Sequence, residues 1–352
     1  MRGYEYNSFL RYFVMKRVVI GISGGVDSAV AALLLKKQGY EVIGVNFVLH
    51  ENPDLSDAKK VADFLGIDLI VKDYSKEFKT DVKDYFADEY FNGRTPNPCI
   101  VCNRKIKFKK LIEVKNEIGA DYIATGHYAK IEEENGIYTL MCADTKKDQT
   151  YFLYQLNQEI LSVLKLPLSE LSKDEIRKIA ENENIPVAHK SDSQEICFIP
   201  DNDYVNFLKE NYKAEVPEGN FMDLDGNILG RHKGIIYYTI GQRKGLGITF
   251  GKPVYVIKTD VENNTVTLGE NADLFTKKFT ASHINFVSGI LAENKFSAEV
   301  KIRCRAKKAP AEITVCEDRF IIEFEEPQRA VTPGQAAVFY NGDKVIGGGI
   351  ID

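Results

Sequence analysis

Two stretches of this chain concentrate groups that do chemistry. Ser23-Gly24-Gly25-Val26-Asp27-Ser28 sets two glycines, two hydroxyls and a carboxylate within six residues. Glycines let backbone N–H groups approach an anion, and a helix starting there adds unpaired N–H groups and its positive dipole end. Ser23 and Ser28 add hydroxyl donors, and Asp27 has the chemistry to hold Mg²⁺ beside a phosphate. A Walker A loop would end in Gly-Lys-Ser/Thr and a dinucleotide fingerprint would read G-x-G-x-x-G; neither is present. The second stretch, Thr95-Pro96-Asn97-Pro98-Cys99-Ile100-Val101-Cys102-Asn103, is proline-stiffened and ends in C-x-x-C, with Arg104, Lys105, Lys107, Lys109 and Lys110 behind it. Thiols at a cationic helix start are expected to have depressed pKa values and to react as thiolates. Half a zinc site, a redox pair, and a nucleophile with a resolving partner compete for this motif. Zinc asks for a second C-x-x-C or a His pair, and the remaining candidate, Cys197 in Ser193-Gln194-Glu195-Ile196-Cys197-Phe198, stands alone.

Both stretches sit where strands and helices alternate. Arg17–Ile22 is a β-branched apolar run ahead of the glycine turn, and Asp27–Lys37 carries apolar residues at helical spacing. Val42–Val48 and Asp68–Val71 read as strands, Leu55–Leu65 and Lys76–Phe91 as helices, then Arg104–Ile118 as helix and Asp121–Thr125 as strand. Nearly continuous apolar strands between helices predict an α/β fold with a parallel sheet covered on both faces and ligands at the carboxyl ends of its strands. Thr150–Leu164 and Ser172–Asn184 read as further helices, the second opening on a Ser172/Glu175 capping box. Beyond about residue 203 the texture becomes glycine-rich and strand-like: Ile235–Ile240, Val254–Thr259, Thr265–Leu268, Ala298–Arg305, Ile313–Val315, Phe320–Phe324 and Ala336–Tyr340, with turns at Asp225-Gly226 and Asn341-Gly342. The expected domains are a leader at 1–15, a catalytic domain at 16–203, a small β-rich domain at 204–273 and a C-terminal antiparallel β-barrel at 274–352.

The 352 residues exceed one ordinary core. Six cysteines are too few for a disulfide scaffold and suit a reducing compartment. No stretch approaches the roughly 20 apolar residues that span a bilayer, so the expected location is cytoplasmic, with no membrane partner. The net charge of −5 means that any nucleic acid must be held by local basic patches. Lys301, Arg303, Arg305 and Lys307 alternate with Ile302, Cys304 and Ala306, which in a strand would align four cations on one face. Arg231, Lys233, Arg243 and Lys244 form a second cluster around Tyr237 and Tyr238.

The sequence Ser-Gly-Gly-Val-Asp-Ser after a first strand resembles the PP-loop of N-type ATP pyrophosphatases. The resemblance implies ATP and Mg²⁺, cleavage between the α and β phosphates, adenylation of a substrate oxygen, and pyrophosphate cradled by Gly24, Gly25 and Ser28. TPNPCIVCNRKIKF, ATGHYAK, KKDQTYFLYQL, SDSQEICFIPD, GQRKGLGI, TPGQAAVFY and the terminal GGGII together resemble the tRNA-specific 2-thiouridylase family, from Lys16 to Ile351. That family transfers sulfur to carbon 2 of the wobble uridine in tRNAs for Lys, Glu and Gln. The resemblance implies that Cys102 is the nucleophilic and resolving thiol and that Cys197 carries sulfur as a persulfide. A sulfur donor such as a cysteine desulfurase or a persulfide relay protein is implied with it. Asn97, Pro98 and Cys99 would face the target base; Cys99 holds a position that is Asp in some members and Cys in others. Gly21, Ile22, Ser23, Gly24, Gly25, Val26, Asp27 and Ser28 would bind the triphosphate, with Phe47 and Gly126 near the adenosine. His127, the turn Lys147-Asp148-Gln149, Arg303, Cys304 and Gln335 match tRNA-contact positions, although Cys304 stands where the family usually has Tyr. The chain is short between Val48 and Asp54, where many members carry an insert. Two alternatives stay open: a [4Fe-4S] cluster on Cys99, Cys102 and Cys197, and a different N-type synthetase.

Overall fold

The computed structural model describes residues 15–51, 53–191, 196–212, 215–248, 251–290 and 293–352. The leader at 1–14 and residues 192–195 of the Cys197 motif lie outside the described residues. The first layer is a parallel five-stranded sheet built from Arg17–Gly21 (β1), Glu41–Val48 (β2), Leu69–Asp73 (β3), Tyr122–Ala124 (β4) and the two-residue Leu164–Lys165, in the order β3-β2-β1-β4 with Leu164–Lys165 outermost. Val18, Val19 and Ile20 of β1 are fully buried, as a central strand covered on both faces requires. The helices Val26–Lys37 (α1) and Ser56–Leu65 (α2) cover one face. The strand order reverses at β1, between β2 on one side and β4 on the other, so the crevice of the sheet opens just where the glycine turn leaves β1.

The expected helix at Lys76–Phe91 is Ser75–Phe78 (α3) and Tyr85–Phe91 (α4) joined by a π-helical turn at Lys79–Asp84. The cysteine helix repeats this form: Pro98–Cys102 (α5), a π turn at Asn103–Lys107, then Phe108–Ile118 (α6). The expected helix at Thr150–Leu164 is not there. A 3₁₀ turn at Thr150–Phe152 precedes Gln158–Leu161 (α7), because Asn157 accepts from Ile160 N at 3.1 Å and caps a new start. Lys173–Asn182 (α8) does begin at the expected capping box, with both reciprocal bonds of Ser172 and Glu175 formed.

The hairpin Lys130–Glu134 and Ile137–Met141 has no counterpart among the sequence expectations, since its first strand is mostly Lys and Glu and its alternation is weak. After Tyr204–Tyr212 (α9), the middle of the chain forms a four-stranded sheet from Gly219–Met222, Ile228–His232, Tyr255–Asp260 and Thr265–Gly269. The expected strand at Ile235–Ile240 is instead a 3₁₀ turn at Ile235–Tyr237, which tucks Ile235 and Ile236 into the core.

The last six strands, from Phe275–Phe286 to Lys344–Ile351, are antiparallel and close on each other by pairing of the first with the last. The hairpin 130–141 extends this sheet through Lys344 opposite Met141. Three consecutive glycines make the closure feasible. A Cβ on Gly348 would lie 2.5 Å from Ala337 O and 2.9 Å from the Tyr154 ring. Gly348→Ala is therefore expected to lower the stability of the protein by about 1–3 kcal/mol, the usual cost of an overpacked interior, read as a fall in the thermal unfolding midpoint. An unchanged midpoint would show that the barrel and the Tyr154 region yield freely.

Candidate active site

The glycine turn is held rigid by its own hydroxyls. Ser28 Oγ donates to Gly25 O at 3.0 Å and accepts from Ser23 N at 3.3 Å, while Ser23 Oγ accepts from Gly25 N at 3.4 Å. Gly24 has φ +72°, and a Cβ there would meet Asp57 Cβ at 2.9 Å, so the turn lies against the first turn of α2. Gly126, from the other side of β1, leaves no room either: a Cβ would lie 2.9 Å from the Asp27 carbonyl carbon and 3.0 Å from Ser28 N. Ile22 is fixed by Asn46 Nδ2 donating to its carbonyl at 2.7 Å. Gly21 and Val26 flank the turn, at the end of β1 and the start of α1. Phe47 lies on the opposite face of the sheet from α1, its ring edge-on to Tyr74 at 5.2 Å.

Asp27 is not the peripheral residue its place on a turn suggests. Its Oδ1 accepts from Tyr128 Oη at 2.7 Å and from Lys173 Nζ at 2.7 Å. The Lys173 side chain is only 10% exposed. Asp27 thus ties α1 to the segment after β4 and to α8.

Asn97 precedes α5, Pro98 opens it, Cys99 follows and Cys102 closes it. The run before them is fastened to the rest of the molecule at each residue. Thr259 Oγ1 donates to Gly93 O at 2.8 Å, Arg94 Nη2 to Ile351 O at 2.8 Å, and Thr95 N to Pro333 O at 2.9 Å. Gln335 Nε2 donates to Thr95 O at 2.7 Å, so the described Gln335 serves the cysteine loop from the barrel. Cys102 packs in one apolar cluster with Val101, Ile196, Phe198, Phe78 and Phe86, which brings the Cys197 segment onto the C-x-x-C helix. All three cysteines are free thiols.

The expected depressed thiol pKa values are not what the surroundings produce. Burial pushes the thiols of Cys99 and Cys102 up, and only Lys107 pulls appreciably the other way. Burial lifts Cys197 too, reinforced by Cys102 and Cys99. Cys99 and Cys197 keep solvent contact as residues, so their desolvation is partial, but its direction holds. The physical reason is that two of the cations of this helix are paired elsewhere, Lys105 with Asp81 at 2.9 Å and Lys110 with Glu113 at 2.9 Å, and that Cys102 lies beyond the first turn, where the positive pole acts. Half-buried Lys83 also feels Cys197, a neighbour that sequence spacing gave no reason to expect.

Lys107 Nζ lies 3.4 Å from His127 Nε2, and His127 Nδ1 lies 2.8 Å from Thr125 Oγ1. An ammonium has no acceptor, so Nε2 is the lone-pair nitrogen and the proton sits on Nδ1. Burial, with Lys107 adding to it, holds His127 well below its ordinary value, so the ring is neutral. In the Lys147-Asp148-Gln149 turn, Asp148 accepts from Ala143 N and Thr150 Oγ1, Gln149 bonds Tyr128 through Tyr128 N at 3.0 Å, and Lys147 is exposed.

The basic strand face at 301–307 does not form. The strand Lys295–Lys301 stops there, and a turn closed by Ala306 N to Arg303 O at 3.0 Å breaks the alternation. Arg303 folds inward, its Nη2 donating to Ile240 O at 2.9 Å and to Thr332 Oγ1, while Cys304 packs half-buried against the sheet-domain core. Arg305 and Lys307 are exposed.

With this geometry in place, comparison with known proteins is direct. The sequence model of the tRNA methyl transferase HUP domain matches residues 16–201, that of the tRNA methyl transferase PRC-barrel domain 205–270, and that of the aminomethyltransferase beta-barrel domain 276–351. The tRNA-specific 2-thiouridylase MnmA of Clostridioides difficile is 52% identical, over 97% of this chain and 99% of its own. The chain belongs to the tRNA-specific 2-thiouridylase family. A second member, from Caldanaerobacter subterraneus, is 50% identical over 96% of this chain and 98% of its own, and one from Clostridium botulinum is 49% identical over 95% and 98%.

Two expectations follow for the family member described here. Because burial raises the thiols, alkylation of Cys102 by iodoacetamide is expected to keep accelerating above pH 9, read by peptide mass spectrometry. A plateau near pH 7 would mean that Lys107 outweighs burial. For His127 the sign is equally definite. Its folded pKa lies below the ordinary value of 6.5, so the unfolded chain takes up a proton first as pH falls and stability declines below pH 6.5. His127→Gln is expected to lose less unfolding free energy than the wild type between pH 7 and pH 5; parallel losses would place the acid sensitivity elsewhere.

Proposed function

We propose that this protein is a tRNA-uridine 2-sulfurtransferase that uses ATP to thiolate carbon 2 of the wobble uridine in tRNAs for Lys, Glu and Gln. The observation that carries the reading is the convergence of Cys102 and the Cys197 segment in one cluster, within a domain whose sheet crevice holds the Ser23–Ser28 turn. Adenylation of the uridine 2-oxygen, with pyrophosphate as the other product, makes AMP a leaving group. The outer sulfur of a Cys197 persulfide attacks carbon 2 and AMP departs. Cys102, as thiolate, then attacks Cys197 Sγ, the S–S bond breaks, and 2-thiouridine leaves with the electron pair. A Cys102–Cys197 disulfide remains, which a two-electron thiol reductant must clear in each cycle. The raised Cys102 thiol is compatible with this order, in which it acts last and must lose its proton to attack.

The turn suits a triphosphate through its rigid backbone. Mg²⁺ would be held chiefly by the phosphates, because Asp27 is the one carboxylate of the turn and its Oδ1 already bonds Lys173 and Tyr128. A [4Fe-4S] cluster fits less well: among the described residues no three His, Cys, Asp or Glu side chains are grouped to hold a metal ion. RNA would be gathered by exposed Lys147, Arg305 and Lys307, and a desulfurase or persulfide relay would load Cys197. No helix among the described residues is long and apolar enough to cross a membrane. A tRNA substrate and a thiol reductant are what support a cytoplasmic reaction.

The test is one reaction with tRNA, ATP, Mg²⁺ and a persulfide donor, followed by nucleoside analysis. Cys102→Ser and Cys197→Ser are each expected to give no 2-thiouridine. Substitution of Cys142, Cys304 or Cys316, which lie outside this cluster, should leave most of it. Full thiolation by Cys197→Ser would sink the persulfide route.

A further inference from the structure

A phosphate loop of the Walker type carries its lysine within the loop, and Ser23–Ser28 has none. Two lysines from the far end of the domain flank the turn instead, and their surroundings differ. Lys173 is buried against Asp27, where it works as a latch between α1 and α8. Lys190, nearly half the chain away in sequence, donates to Gly24 O at 3.2 Å and to Asp57 Oδ2 at 2.7 Å, with 46% of its side chain exposed. Its ammonium sits at the seam where Gly24 presses on α2.

We propose that Lys190 is the phosphate-binding lysine of this site, leaving Asp57 to take a phosphate oxygen when a nucleoside triphosphate occupies the turn. The inference rests on the ATP reading above and deepens it. Three observations support the exchange. The contact with Gly24 O is a single bond to a neutral carbonyl. An ion pair as exposed as Lys190–Asp57 is weak and easily traded for a more highly charged partner. Asp57 also has Lys60 at 3.2 Å, so it is not stranded when Lys190 departs. Lys173 cannot make the same move without leaving the Asp27 carboxylate uncompensated beside a nearly buried partner. A lysine supplied from outside the loop does by reach what the Walker lysine does by position, and a separation of 166 positions between Gly24 and Lys190 hides it from any local motif.

The test compares full-length wild type, Lys190→Met, Lys190→Arg and Asp57→Asn by calorimetric titration with ATP and, in parallel, adenosine. One charge-assisted hydrogen bond lost to phosphate corresponds to about a tenfold to hundredfold weakening. Lys190→Met is expected to weaken ATP by that factor and leave adenosine unchanged, Lys190→Arg to recover part of the loss, and Asp57→Asn to bind ATP at least as tightly as wild type. Unchanged ATP affinity in Lys190→Met overturns the proposal. Equal weakening by Lys190→Met and Asp57→Asn also overturns it, since the ion pair would then be a structural brace. A folded wild type that binds tRNA but not ATP overturns the ATP reading itself, an outcome distinct from the other two.

Discussion

The site depends on one constraint: the backbone of Gly93–Thr95 is fixed by three separate parts of the fold. The parallel-sheet domain supplies the segment, and Glu89 holds its Arg94 at 2.9 Å. The middle sheet contributes Thr259 on Gly93 O and Thr239 beside the Thr95 hydroxyl at 3.2 Å. The barrel contributes Pro333 O, Gln335 and Ile351 O. Gly334 follows the same logic from the other direction, since at φ +88° a Cβ would sit 2.9 Å from Thr95 N. Backbone groups bonded this fully have few alternatives. The helix carrying Cys99 and Cys102 begins three residues later, at Pro98, so its position is set by contacts that no single domain provides.

That anchorage explains why the thiols tolerate an apolar setting. A mobile C-x-x-C would turn its sulfurs to water. Here Pro96 and Pro98 are buried, Ile100 is buried, and Cys102 lies among Phe78, Phe86 and Phe198. Desolvation therefore dominates the electrostatics, and one cation, Lys107, works against it for all three cysteines. Lys107 closes the π turn that begins after Cys102 and leans on neutral His127. The widened turn gives this lysine its place, in keeping with the frequency of π turns at working sites.

The sequence carried the sheet domain well because its strands are apolar runs with a period that helices interrupt, and because Ser172 and Glu175 advertise a cap. It misjudged what tertiary contact decides. Thr150–Leu164 has the apolar content of a helix, yet Asn157 restarts the backbone and six large apolar side chains there are buried. The Lys301–Lys307 alternation is a true pattern without a strand to express it, since the chain must turn to send Arg303 toward Ile240 and Thr332. The thiol pKa values depart from the sequence expectation for a related reason: cations near in sequence are visible there, whereas pairing with Asp81 and Glu113 and the depth of the apolar cluster exist only in three dimensions. Lys83, Lys173 and Lys190 were missed because each reaches its partner from another element.

The same contacts bear on how an acidic protein would hold RNA. Arg303 Nη2 and Gln335 Nε2 both donate inside the protein, one joining the barrel to the middle sheet and the other joining it to Thr95. A residue so engaged can still touch RNA with remaining atoms, but its first effect is to fix the distance between the barrel and the cysteine loop. Phosphate contacts confer affinity and register without sequence information, whereas a base held in a site confers selection. Exposed Lys147, Arg305 and Lys307 suit the first task. The second requires that a nucleotide registered on the outer surface arrive at Cys99 and Cys102 with little slack. On the proposed function, the internal bonds of Arg303 and Gln335 would supply that rigidity, and the barrel would then contribute to selection at a loop that belongs to another domain.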